Sequence, residues 1–227
     1  MGGRSSEHEV SLRSAQSVIQ AMDKERFEVV PVGITKTGKW IIHPEALAIL
    51  LTLADKHMLP ADFVAAHARA EAPVSVAETA SMLPTMQELA AFDVLFPVMH
   101  GPFCEDGTIQ GLLEMAHIPY VGAGVLASAV GMDKIVFKDV MKANGIPVSP
   151  YWHCLRSRWK KEPESVLDEV EAALGYPVFS KPPNMGSSVG ISKCSNRDSL
   201  RRGITEAVRF DRKILIEAAV PNVREIE

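Results

Sequence analysis

The sequence predicts an α/β fold, and three observations carry that prediction. From residue 93 onward, short runs of β-forming residues alternate with amphipathic helical runs. A polar, Gly-rich loop at 100–107 follows one of the strands directly, and Gly145 with Pro147 closes a helix. Alternation of this kind favours a parallel sheet covered by helices, with ligands gathering at the loops that leave the carboxyl ends of the strands. At 227 residues, 47% apolar and 23% charged, the chain is long enough for one large or two modest domains.

Taken in order, Leu12, Ala15, Val18, Ile19 and Met22 recur at three-and-four spacing and predict a helix over 9–22, just behind Gly2-Gly3. The β-branched Val29-Val30 mark a strand at 27–32, and Lys36-Thr37-Gly38-Lys39 forms a turn before the strand Trp40-Ile41-Ile42. Residues 44–84 mix Ala-rich helical pieces with Pro breaks, and no role is assigned to them. Strand 94–99, loop 100–107, helix 108–117 and a short strand at Tyr120-Val121 follow. A second unit starts near Gly131. It runs through helix 132–144, strand 148–153, helix 164–174, strand 178–181, loop 182–187, strand 189–193, helix 199–210 and strand 214–217. Ser195 with Asp198 has the form of a capping box for the last helix.

Composition excludes several function classes. A net charge of -4 without a dense basic run argues against nucleic-acid binding, which needs clustered Lys and Arg against phosphates. The longest apolar stretch, 46–54, falls far short of the roughly 20 residues that cross a bilayer, so no membrane partner is expected. Cys104, Cys154 and Cys194 are odd in number and lack metal-ligand spacing, which fits a reducing cytoplasm.

Several segments can carry chemistry, each with a plainer alternative. Lys181-Pro182-Pro183-Asn184-Met185-Gly186-Ser187-Ser188-Val189-Gly190 joins two strands. It is either a phosphate loop, with backbone N–H groups, hydroxyls and one lysine facing an anion, or an ordinary Gly/Ser hairpin turn. Lys134 and Lys138 stand one helical turn apart, facing one crevice or facing solvent. His100 ends an apolar strand with Glu105 and Asp106 close behind, as a substrate-site residue or a structural loop histidine. Ser5, Ser6 and Glu7 head the first helix, where capping alone explains them. Glu217 and Glu225 are either acceptors for an adenine amino group and ribose hydroxyls or solvated turn residues.

In combination these segments resemble the D-alanine:D-alanine ligases, through GGRSSEHEVSL at 2–12, HGPFCEDGTIQG at 100–111, PYVGAGVLASAVGMDK at 119–134 and FSKPPNMGSSVGISK at 179–193. The resemblance spans nearly the whole chain, thinly over 44–84. It implies a Rossmann-like (pre-ATP-grasp) parallel-sheet domain at 1–130, a central ATP-grasp α+β subdomain at 131–218, and the start of a C-terminal subdomain at 219–227. The implied reaction is ATP-dependent joining of two D-alanines through a D-alanyl phosphate, supplying the dipeptide for peptidoglycan and so for cell shape.

By position, Glu7 resembles the carboxylate that holds the ammonium of the first D-alanine. Ser187 resembles the hydroxyl hydrogen-bonded with it near the second substrate, and His100 a residue for orientation or proton transfer. Lys134, Lys181 and Ser188 resemble the ATP-phosphate contacts, Glu217 and Glu225 the readers of adenine and ribose, and Ala218 and Val220 contacts to the base. The resemblance further implies a homodimer and Mg2+ or Mn2+. The metal ligands, and the strand with which the family begins, are expected outside this sequence, so the chain alone is expected not to turn over. Cys104 and Ser180 depart from the family, which has Gly and an apolar residue there. Two alternatives accompany this reading: a non-catalytic nucleotide-binding fragment, and a ligase taking D-lactate or D-serine as second substrate.

Overall fold

The first turn of the chain is set by two glycines. Gly2 and Gly3 adopt φ of 81° and 112°, and a Cβ at Gly2 would lie 2.4 Å from the Ile34 carbonyl oxygen, so only glycine fits. The computed structural model describes residues 1–54, 80–81 and 83–224. It divides into two compact units, Met1–Ala129 and Val130–Glu227.

In the first unit, α1 (His8–Ala21) turns Leu12 and Ala15 inward. They pack against Ile41 of β2 (Trp40–Ile42) and against Ala46, Ile49 and Leu50 of α2 (Ala46–Leu53), all fully or almost fully buried. β1 (Val32–Ile34) and β2 form the expected hairpin, closed by Thr35 N–H to the Lys39 carbonyl at 2.8 Å. β3 (Ala80–Ser81) adds a third antiparallel strand on β2. α3 (Met86–Leu89) is fixed by a capping box between Thr85 and Glu88, and α4 (Thr108–Met115) buries Ile109 and Leu113. α5 (Val125–Met132) spans the division between the units.

Among the described residues of this unit, parallel pairing is confined to two bridges, Gly2 with Ile34 and Leu95 with Tyr120. The strands expected at 27–32 and 94–99 therefore differ from the observed ones: regular pairing starts only at Val32, and in the later segment only Leu95 pairs. Among the described residues neither segment has a strand to pair with beyond these bridges, and Phe27, Val29, Val30, Val94, Phe96 and Val98 all line one apolar cavity of about 400 Å³.

In the second unit, β4 (Tyr151–Leu155), β5 (Val178–Lys181), β6 (Ser192–Cys194) and β7 (Lys213–Ala218) form an antiparallel sheet in the order β4-β7-β5-β6. Its period-two pattern separates the faces. Cys154, Val178, Cys194, Ile214 and Ile216 pack under Trp159 of α7 (Arg156–Lys161), Val166, Leu167 and Val170 of α8 (Pro163–Leu174), and Leu200 and Ile204 of α9 (Arg197–Ala207). The other residue set, Tyr151, Phe179, Lys181, Leu215 and Glu217, faces the opposite way, with α6 (Lys134–Ala143) reaching it through Lys138.

Three details depart from the sequence reading. β4 begins at Tyr151 because Pro147 and Pro150 have no N–H to donate, and Pro150 instead accepts from Ala218 N–H at 2.9 Å. β6 begins at Ser192 because Ser188 and Gly190, at φ of 58° and 71°, bend the chain into turns first. The cap of α9 is Asn196 with Ser199, not Ser195 with Asp198; the Asn196 amide oxygen accepts from Ser199 N–H at 2.9 Å.

Candidate functional site

The residues singled out from sequence fall into two clusters, one in each unit. In the first unit the head of α1 meets the loop after residue 99. Ser5 Oγ donates to the His100 carbonyl at 2.6 Å and accepts from Glu7 N–H at 3.2 Å. Ser11 Oγ accepts from His100 N–H at 3.0 Å and donates to the Glu7 carbonyl at 3.0 Å. The His100 ring lies with Nε2 2.9 Å from Ser14 Oγ and Nδ1 3.7 Å from Glu105. A Cβ placed on Gly101 would lie 2.6 Å from Glu7 Oε2, so glycine, at φ of 79°, is what lets the Glu7 carboxylate sit against this loop.

These contacts revise the capping alternative. Glu7 is the N-cap of α1 and makes no side-chain cap, and the hydroxyls of Ser5 and Ser11 tie α1 to the backbone around His100. Glu7 and His100 are thereby brought together, as the sequence order alone could not show. Ser14 and Gly101 were missed; their signal is position, one helical turn beyond Ser11 and directly after His100. Cys104, in the same loop, is buried, and burial pushes its thiol up to about 12, which leaves it protonated and unreactive.

In the second unit the pairing of β7 with β5 sets Glu217 opposite Phe179 and Lys181 opposite Leu215. The Glu217 carboxylate binds two lysines at once: Oε1 is 2.7 Å from Lys138 Nζ, and Oε2 pairs with Lys181. All three side chains are 12% to 17% exposed, so solvent screens the cluster little. Burial alone would raise the Glu217 pKa, but hydrogen bonds from Lys138 and Lys181 outweigh it and hold the carboxyl below its ordinary range. Lys134 Nζ donates to the carbonyls of Met185 at 2.8 Å and Pro183 at 3.3 Å, and burial, with Lys181 nearby, lowers its pKa. The loop therefore has a lysine at its root, a second lysine clasping its carbonyls, and Ser187 and Ser188 at its far end with φ of 46° and 58°.

Lys134, Lys181 and Glu217 thus share one locality, and Lys138 joins them through Glu217, which resolves its alternative in favour of the inward position. Ala218 ends β7 opposite Val178, and Val220 is 55% exposed just beyond it. Glu225 lies outside the described residues. Glu7 and His100 belong to the first unit and Ser187 to the second. Among the described residues no three His, Cys, Asp or Glu side chains are placed to hold a metal ion, and no helix is long and apolar enough to cross a membrane.

The family described as D-ala D-ala ligase N-terminus matches residues 1–123, and that described as D-ala D-ala ligase C-terminus matches residues 140–227. The D-alanine--D-alanine ligase of Heliobacterium modesticaldum is 47% identical over 226 residues, and that of Geobacillus thermodenitrificans 47% identical over 227. Each alignment covers 100% of this chain and 60% of the relative, so the chain spans about three-fifths of their length. Among solved structures, the VanG D-Ala:D-Ser ligase from Enterococcus faecalis superposes with a TM-score of 0.74 at 29% identity, covering 97% of this chain and 61% of that one. The D-alanine-D-alanine ligase from Coxiella burnetii gives 0.72 at 26%, covering 96% and 62%. With the N-terminal family matched over residues 1–123 and the C-terminal one over 140–227, the chain belongs to the D-alanine:D-alanine ligase family, of the ATP-grasp fold.

Proposed function

We propose that the complete protein joins two D-alanines at the expense of ATP, and that this chain supplies its first-substrate site and much of its nucleotide site. The observation that carries the reading is the arrangement of half-buried Lys134 and Lys181 with buried Glu217 at the root of the 182–190 loop. Lysines held in a poorly screened site suit a nucleotide polyphosphate, whose charge they offset while the phosphoryl group moves. A carboxylate oxygen has more than one lone pair, so Glu217 can accept a hydrogen bond from an adenine amino group or a ribose hydroxyl while its lysines stay.

The γ-phosphoryl group passes to the carboxylate of the first D-alanine with ADP leaving, and the amine of the second then attacks the acyl phosphate and releases phosphate. In this reading Glu7 holds the first ammonium, and Ser187 bonds with it near the second substrate. His100, its ring set by Ser14, orients substrate or moves a proton. Lys134, Lys181 and Ser188 receive the phosphates, and Glu217, Ala218, Val220 and Glu225 receive adenosine. Residues 1–130, 131–218 and 219–227 are then the substrate domain and the two ATP-grasp parts, in a cytoplasmic homodimer. Mg2+ or Mn2+ would screen the phosphates; no described residue is assigned to hold it.

The test is D-alanine-dependent ADP formation by the complete protein, with the dipeptide identified by mass spectrometry. Lys181→Met is expected to abolish both. ADP formation that ignores D-alanine, or a Lys181→Met protein with undiminished turnover, would sink the proposal. The likeness to a D-Ala:D-Ser ligase favours one second reading, D-serine as acceptor, which the same assay with D-serine decides.

A further inference from the structure

Two charged residues at the entry to the strand that carries Glu217 are left unused by the ligation reading. Asp211, just before β7, accepts through Oδ2 from Asn184 N–H at 3.0 Å and from Asn184 Nδ2 at 2.8 Å, and through Oδ1 from Lys213 N–H at 3.0 Å. Lys213, the first residue of β7, extends its ammonium to Asp133 Oδ2. The other oxygen of Asp133 caps α6, accepting from the N–H groups of Ile135 at 3.1 Å and Val136 at 3.3 Å.

Between these two anchors lies Lys134, whose N–H donates to the Pro183 carbonyl and whose ammonium donates to Met185. The contacts close on themselves. From β7 they pass through Asp211 to Asn184 in the loop, across Pro183 and Met185 to Lys134, and through Asp133 and Lys213 back to β7. A ring of this kind holds the loop and the start of α6 from a single rigid strand, and both elements carry groups meant for phosphate.

We propose that Asp211 and Lys213 are positioning residues for nucleotide phosphate. Neither touches the nucleotide; Asp211 fixes the loop and Lys213 fixes the cap of α6, so that Lys134 and the loop hydroxyls present themselves together. Lys213 and Asp133 are 20% and 12% exposed, so their pairing persists against solvent competition. The proposal rests on the nucleotide reading of this site and adds two residues to it.

The experiment is calorimetric titration of the complete protein with ADP and, separately, with adenosine, for wild type, Lys213→Met, Lys213→Arg and Asp211→Asn. A displaced phosphate-binding group should weaken ADP by about tenfold in Lys213→Met and Asp211→Asn, equivalent to about 1.4 kcal/mol. Adenosine should change by less than about twofold, because its contacts lie at the other end of β7. Lys213→Arg, which keeps a donor toward Asp133, should restore ADP binding. Equal weakening of ADP and adenosine would show a general structural role and overturn the proposal, as would unchanged ADP affinity. Should Lys213→Met fail to fold, Asp211→Asn carries the test. A wild-type chain that binds adenosine but gains nothing from the phosphates overturns the phosphate role of Lys134 itself, and positioning with it.

Discussion

Ser180 is fully buried on the core face of β5, and its hydroxyl has no hydrogen-bond partner among the described residues. Its neighbours across the sheet are Ser192 and Ile216, and a Cβ on Gly203 of α9 would come within 3.3 Å of its own Cβ. A buried hydroxyl without a partner costs about 1–3 kcal/mol in lost hydration. Ser180→Ala removes that penalty and leaves a void of roughly one oxygen atom, worth a few tenths of a kcal/mol at about 24 cal/mol per Å³. The net expectation is a gain of about 1 kcal/mol in the second unit, raising its melting temperature by roughly 4–8 °C.

Urea unfolding followed by the fluorescence of Trp152 and Trp159, both in that unit, measures it. Ser180→Val serves as the control, since its branched side chain crowds the same close approach to α9 and should be less stable than alanine. An alanine variant no more stable than wild type would show that the hydroxyl is satisfied and the reasoning wrong. Nucleotide affinity should stay constant, because Phe179 and Lys181 on either side of Ser180 face the opposite way.

Glu217→Gln should lose stability in a pH-dependent manner. The folded carboxyl lies below the ordinary glutamate range, so its contribution is present above the unfolded pKa and lost as pH falls through the folded pKa; a wild-type-minus-variant difference that stays flat from neutral pH into the acid range would refute the assignment. Gly101→Ala introduces a Cβ 2.6 Å from Glu7 Oε2 at a φ of 79°, and in the complete protein should raise the KM for the first D-alanine while sparing ATP binding. Phe27, Val30, Val94, Phe96 and Val121 are 37% to 49% exposed around the apolar cavity, and Met1 already bonds to Val32 and Ile34. A Val/Ile-rich extension of about six residues joined before Met1 should therefore raise the melting temperature of the first unit, and no rise would show that these segments cannot accept a strand.

Which parts of this structure were legible from sequence follows from the range of the forces involved. α1, β2, β5 and β7 were read within a residue or two because a local period of 3.6 or 2 in apolar residues is enough to define them. α7 was missed because Arg156-Ser157-Arg158-Trp159-Lys160-Lys161 offers one buried side chain, Trp159, and no period. The strands assigned to 27–32 and 94–99 have the right composition, yet composition cannot supply a partner. Within the site, Lys134, Lys181 and Glu217 were singled out from the residues alone, each with a plainer alternative, and the resemblance supplied the roles expected of them. Lys213 and Asp211 were not, because their partners Asp133 and Asn184 lie 80 and 27 residues away and nothing local announces them.

Fold and site are nevertheless coupled by one register. On β5 and β7 the residues that face the helices, Val178, Ser180, Ile214 and Ile216, alternate with Phe179, Lys181, Leu215 and Glu217, which face the opposite way and include the proposed nucleotide contacts Lys181 and Glu217. A slip of one residue would turn the buried set outward and push a lysine and a glutamate under α8 and α9, where each would lose its charge partner in an apolar layer. The packing of Val178, Ile214 and Ile216 therefore enforces the meeting of Lys181 with Glu217 more strongly than their own attraction does, since an isolated ion pair nets little once its desolvation is counted. It follows that an Ile216→Ala change, in a residue that contacts no phosphate or base in the proposed site, should weaken nucleotide binding only as far as it unfolds the unit. Variants of Lys138 should instead weaken it in a protein that remains folded, through the loss of one of the two partners of Glu217.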